Sequence, residues 1–149
     1  MRSLARHALP VVALLFVAAG LVQVFLAGLG VFDDPRTFMT HREFGYAIGW
    51  FTLVILVLAL VGREPKRIVG LSILLLVQFA LQSIFVLQRG NLNAVAALHP
   101  VNGFLILVVA IAIARLSWVV RQAAERAQPP ALSETTGDSG TLGAASGAG

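Results

Sequence analysis

The sequence contains no cysteine. That excludes disulfides, thiolate metal sites, cysteine nucleophiles and c-type haem attachment. Charge is scarce too: Asp, Glu, Lys and Arg make up 12% of the 149 residues, against about 25% in an ordinary soluble domain. Hydrophobic residues account for 58%, and the mean hydropathy is +0.86. This balance excludes an ordinary water-soluble enzyme, and it excludes disorder over most of the chain. Eleven basic residues face seven acidic ones, giving a net charge of +4 and a pI near 11.1. In so apolar a chain that excess points to a membrane and not to nucleic acid.

The few charges divide the chain into long uncharged runs. They hold 26 residues between Arg6 and Asp33, 19 between Glu43 and Arg63, 21 between Arg67 and Arg89, and 25 between Arg89 and Arg115. A helix needs about 20 apolar residues to cross a ~30 Å hydrocarbon core. The expected fold is an all-α membrane protein, a four-helix bundle of two tandem helical hairpins. Its spans lie at about 8–31, 37–61, 68–88 and 95–120 within a membrane domain of residues 1–126. No strand-length segments with period-two alternation suggest a β-barrel. Arg2 and Arg6 before an apolar run resemble a signal peptide, but the run is nearly twice the usual ~7–15 residues of such a segment. An uncleaved first span is expected.

Eight of the basic residues fall on one side of this topology, and Arg36, Arg42 and Arg89 fall on the other. The positive-inside rule then places both termini in the cytoplasm. The expected location is the bacterial cytoplasmic membrane. Residues 127–149 are rich in Pro, Ala, Gly, Ser and Thr. They are expected to form a disordered cytoplasmic tail.

A repeat runs through the chain. His41 to Ile48 and His99 to Ile106 share the pattern His-x-x-x-Gly-aromatic-x-Ile, 58 residues apart. The same offset carries Arg63 onto Arg121. Gln23 precedes His41 by 18 residues, and Gln82 precedes His99 by 17. A duplicated helical hairpin explains these matches. It puts both histidines at one depth, about 33 Å along the helix from the basic end and so near the outer boundary. Asp34-Pro35 reads as a start signal for the second span. Pro100 either kinks the fourth span or begins it.

Two neutral imidazoles at one depth can ligate a single haem iron axially. Gly45 and Gly103 each follow a histidine by four residues, on the same helix face. They would let a porphyrin plate approach the backbone. Gly45-x-x-x-Gly49 equally fits a small-residue motif for close helix packing. Arg42 is a candidate partner for a haem propionate, and its alternative role is a snorkelling interfacial cation. Gln23, Gln78 and Gln82 are candidates either for bonds between helices or for orienting the imidazoles. The histidines themselves have a plainer reading, as helix caps or interfacial hydrogen-bonding groups. Zinc usually requires four ligands, and His7 falls at the opposite end. Copper(I) on two histidines stays open, with Met39 as the outer-side sulfur, and the haem b hypothesis rests on His41 and His99 as iron ligands.

A four-helix unit with histidines at the outer ends of its second and fourth helices resembles one half of haem A synthase, and the His41-Arg42 pair matches that family's second helix. The resemblance stops short of the synthase activity, because Phe38 stands where that family carries a catalytic glutamate. The stretch from Leu9 to Arg121 also resembles an uncharacterised family of four-span bacterial membrane proteins. That likeness is carried by Gln23-Val-Phe-Leu-Ala-Gly28, by His41-Arg42 and by Leu98-His99-Pro100-Val101-Asn102. It implies the fold without an activity. More broadly, the architecture resembles b-type membrane cytochromes.

Two functional readings follow. The first is a small membrane cytochrome b, for electron transfer or haem handling. It would need a quinone, another redox partner or a homo-oligomer to pass electrons on. The second is a cofactor-free four-helix accessory or interaction subunit in the lipid bilayer. No serine-histidine-acid set or phosphate loop suggests an enzyme.

Overall fold

The computed structural model describes residues 1–127. The helices are α1 (Arg2–Phe32), α2 (Thr37–Val61), α3 (Lys66–Leu87), the single turn α4 (Asn93–Ala96) and α5 (Leu98–Arg126). There is no strand among the described residues. The expected tail lies, from residue 128 onward, outside them. α1, α2, α3 and the stretch Asn93–Arg126 are each long and apolar enough to cross a membrane, with mean hydropathies of 2.2 to 2.5 over their best windows. Less than a third of each window is buried inside the protein. Large apolar side chains such as Phe25, Trp50 and Val108 therefore face outward. An apolar surface this continuous is unsupported in water and suits a bilayer.

Helix boundaries follow local chemistry. Asp34 accepts the main-chain N–H of Arg36 through its side chain at 2.9 Å, and its carbonyl accepts the N–H of Thr37. The turn that opens α2 is thus built by Asp34 and Pro35. Pro100 lies in the first turn of α5. Its missing N–H costs nothing there, because the first-turn N–H groups have no partner within the helix. Of the two roles open to Pro100, the structure adopts the start of a helix.

α1 packs on α2 and α5, and α3 packs on the same two, while the diagonal pairs α1/α3 and α2/α5 have no close backbone approach. The helices thus form a square, ordered α1-α2-α3-α5, from two antiparallel hairpins. Side chains fill the centre: Leu9, Phe16, Ile55, Ile68, Leu75 and Ile113 are essentially inaccessible. Phe16 and Phe79 meet edge-on across the α1/α3 diagonal, with ring centroids 6.2 Å apart. The buried hydroxyls of Ser72 and Ser117 donate to carbonyls one turn back in their own helices, so they carry no unsatisfied donor into the core.

One end of the square carries His41 and His99 and the other most of the arginines. At the arginine end the α2–α3 turn is tied to α1. Arg6 donates to the carbonyl of Gly62 at 2.9 Å and lies 3.8 Å from Glu64. The Glu64 side chain is buried. Burial raises its pKa above the ordinary carboxylate value, while Arg6 and Arg2 pull it back down.

Candidate functional site at the histidine end

His41 stands in the first two turns of α2, and His99 in the first turn of α5. These helices are diagonal to each other, yet the two imidazoles meet across the interior with centroids 6.2 Å apart and ring planes at 70°. The repeat places them at one depth, and the packing turns them toward each other.

Each ring is held in the same way. His41 donates from Nδ1 to the main-chain carbonyl of Gln23 at 3.1 Å, and His99 donates from Nδ1 to that of Gln82 at 3.2 Å. A carbonyl oxygen only accepts, so each Nδ1 carries the proton. In the neutral ring each Nε2 keeps its lone pair. Neither Nε2 makes a hydrogen bond among the described residues. The pattern of one nitrogen fixed by a carbonyl and the other left free is the one used to orient metal-binding histidines.

The glutamines act through their main chains on the imidazoles, and their side chains go elsewhere. A Cβ added at Gly45 would collide with Nε2 of Gln23, and one added at Gly103 would press on Nε2 of Gln82 at 3.3 Å. In this packing the space above the two glycines is occupied by glutamine amides. The two halves then diverge. Asn102, buried in α5, donates to the main-chain carbonyl of Gln78 at 2.8 Å and to the side-chain carbonyl of Gln82 at 2.6 Å. The position 58 residues earlier is Phe44, which cannot do the same for Gln23. The side-chain carbonyls of Gln23 and Gln78 are buried without a hydrogen-bond partner. Sequence reasoning passed over Asn102 as a site residue, because the repeat supplies no polar counterpart to flag it.

The remaining neighbours are simpler. Phe38 packs edge-on against His41, with centroids 6.4 Å apart, and its ring fills the space above Gly30. Arg42 is exposed and pairs with the adjacent Glu43 at 2.8 Å. Its guanidinium is engaged at the rim and points at no interior group. Among the described residues no cluster of three or more His, Asp or Glu side chains could hold a metal ion.

Residues 23–88 match the model of a family of unknown function, DUF6220. The match spans the last third of α1 through α3, and so includes Gln23, His41 and Gln82 but stops short of His99. No curated protein matches the chain, and no solved structure matches it. The comparisons therefore bring no relationship to haem A synthase or to a cytochrome, and the family match covers less than half of the chain.

Proposed function

We propose that this four-helix membrane bundle holds one b-type haem through Nε2 of His41 and His99, for electron transfer or haem handling. The carrying observation is the edge-on pair of imidazoles, each with Nδ1 committed to a carbonyl and Nε2 without a hydrogen bond among the described residues. A metal–nitrogen bond is about 2 Å, and a ring nitrogen lies about 1 Å from its ring centre, so two imidazoles sharing one metal have centroids roughly 6 Å apart. The observed separation is 6.2 Å. Two protein ligands without a third suit a metal that brings its other ligands with it, as a porphyrin iron does. Seating the plate requires Gln23 and Gln82 to turn away from Gly45 and Gly103. When bound, the haem supplies a one-electron couple, and the chain's own residues orient the ligands. In this reading the histidine end faces outward from the bacterial cytoplasmic membrane, both termini are cytoplasmic, and a quinone, another redox partner or a second copy exchanges the electron.

A specific observation also favours a cofactor-free reading. Gln23 seated on Gly45 and the bonded pair Asn102–Gln82 form a packed polar layer with no added group. In that case the histidines and glycines join the hairpins, and the protein serves as a membrane accessory subunit.

A reduced-minus-oxidised visible spectrum of the detergent-purified protein, before and after haem is supplied, separates the two. The haem reading expects a b-type α-band that is lost in both His41→Ala and His99→Ala. A wild type that stays colourless with haem present, and variants that lose only thermal stability, would establish the cofactor-free bundle.

A further inference from the structure

A second site lies at the opposite end of the molecule, on its outer surface. Leu14 of α1 and Ala114, Arg115, Trp118 and Val119 of α5 line a shallow groove of about 200 Å³. Its walls are apolar and open to the outside of the bundle, where the surface is suited to acyl chains. Its one charged side chain is Arg115.

Like Arg2, Arg63, Lys66, Arg67 and Arg126 at this end, Arg115 stands outside the ion pairs of the described residues. Among the described residues, the two acidic side chains of this end already have basic neighbours. Glu64 lies beside Arg6, and Glu125 lies 3.4 Å from Arg121 and 3.6 Å from His7. No carboxylate lies within ion-pair distance of Arg115 among the described residues. The guanidinium of Arg121 sits 4.2 Å over the ring of Trp118, on the wall of the same groove, and its Nε is buried without a hydrogen-bond partner. Two guanidiniums thus flank one tryptophan, Arg115 without a counter-ion among the described residues and Arg121 with its Nε 3.4 Å from Glu125. Arg115 also lies 16 residues from His99, which is about 24 Å along the helix. That depth puts it inside the far boundary of a ~30 Å core, where an arginine reaches toward the interface to find an anion.

We propose that this groove binds an anionic phospholipid, with its phosphate on Arg115 beside Trp118 and its acyl chain along Leu14, Ala114 and Val119. The charge of this end complements such a lipid: among the described residues, eight basic side chains stand there against two acidic ones. The apolar groove supplies the tail contact and the guanidinium supplies the headgroup contact. The site is independent of any haem.

The test is native mass spectrometry of the full chain in a neutral detergent. The protein is titrated with phosphatidylglycerol, with phosphatidylcholine of the same acyl chains, and with inorganic phosphate. Phosphatidylglycerol is expected to be retained in preference to phosphatidylcholine and to resist millimolar phosphate. Arg115→Gln should lower its retention about fivefold, the effect of one interfacial cation, while Arg115→Lys keeps most of it. Leu14→Trp, which fills the groove without touching charge, should lower it as well. Equal retention of the two lipids, displacement by phosphate, or wild-type retention in both Arg115→Gln and Leu14→Trp would overturn the proposal.

Discussion

Asn102 ties down Gln82. Its side-chain N–H donates to the glutamine's carbonyl at 2.6 Å and, one turn away, to the main chain of Gln78. Gln23, which occupies the corresponding place in the first hairpin, has Phe44 where Asn102 would stand, and its side-chain carbonyl is buried without a partner. The repeat is therefore symmetric in its histidines and asymmetric in its amides. The His99 half is braced and the His41 half is free to rearrange.

That asymmetry fixes the sign of two substitutions. Asn102→Leu strips Gln82 of its partner and leaves a buried acceptor unpaired, at a cost of about 1–2 kcal/mol. Gln23→Met removes an acceptor that is already unpaired and keeps an unbranched chain over Gly45. It should be neutral or stabilising by up to about 1 kcal/mol. Unfolding in mixed micelles measures both. Equal losses in the two variants would mean that the halves are energetically alike.

Glycines divide by what faces them. A Cβ at Gly70 meets nothing within 4 Å, whereas one at Gly49 comes 2.7 Å from the Phe79 ring, which is itself braced against Phe16. Gly70→Ala should gain about 0.5–1 kcal/mol from reduced backbone freedom. Gly49→Ala should lose about 1–3 kcal/mol, because the ring must leave its edge-on seat against Phe16 to make room. The same unfolding assay reads both, and a stabilised Gly49→Ala would show that α2 and α3 can separate.

The fold was legible because lipid leaves the chain few choices. Uncharged runs of span length announce helices, and the offset of 58 announces that His41 and His99 share a depth. That the rings meet, edge-on, is a matter of rotation about α2 and α5, which a pattern of apolar residues on all sides does not encode. The glycines were legible as positions needing room, but not what fills the room. A porphyrin plate and a glutamine amide from the neighbouring helix ask the same thing of Gly45. Asn102 was hidden for the opposite reason, since it breaks the repeat.

The end of α2 offers a similar lesson and another prediction. A glycine after a helix usually marks the left-handed residue. Here Gly62 stays right-handed and the next residue, Arg63, takes φ +51°. The N–H groups of Arg63 and Glu64 bond to the carbonyls of Leu60 and Ala59, completing a Schellman turn. Gly62 is needed for a different purpose, because a Cβ there would crowd Leu58, Arg6 and Glu64. Arg63→Gly should therefore stabilise the bundle by about 1 kcal/mol, and Gly62→Ala should destabilise it. A thermal midpoint that falls in Arg63→Gly would show that its charge outweighs the strain.

Glu64 sets the pH dependence of the same turn. Its carboxyl is buried, and burial raises its folded pKa above the ordinary value of 4.5, with Arg6 and Arg2 opposing the shift. The folded protein then holds this proton more tightly than the unfolded chain does. By linkage, the contribution is fully present below the unfolded pKa and is lost as pH rises through the folded one. Stability should decline from about pH 4.5 upward until Glu64 is ionised in the fold. Glu64→Gln carries no titrating proton and should abolish that part of the slope. It also gives up the ion pair with Arg6, so the informative quantity is the change of slope with pH and not the midpoint at one pH. Thermal midpoints of the two proteins between pH 4 and 8, subtracted, isolate Glu64 from groups they share, such as His7. A difference that stays flat across this range would mean that Arg6 and Arg2 cancel the burial completely.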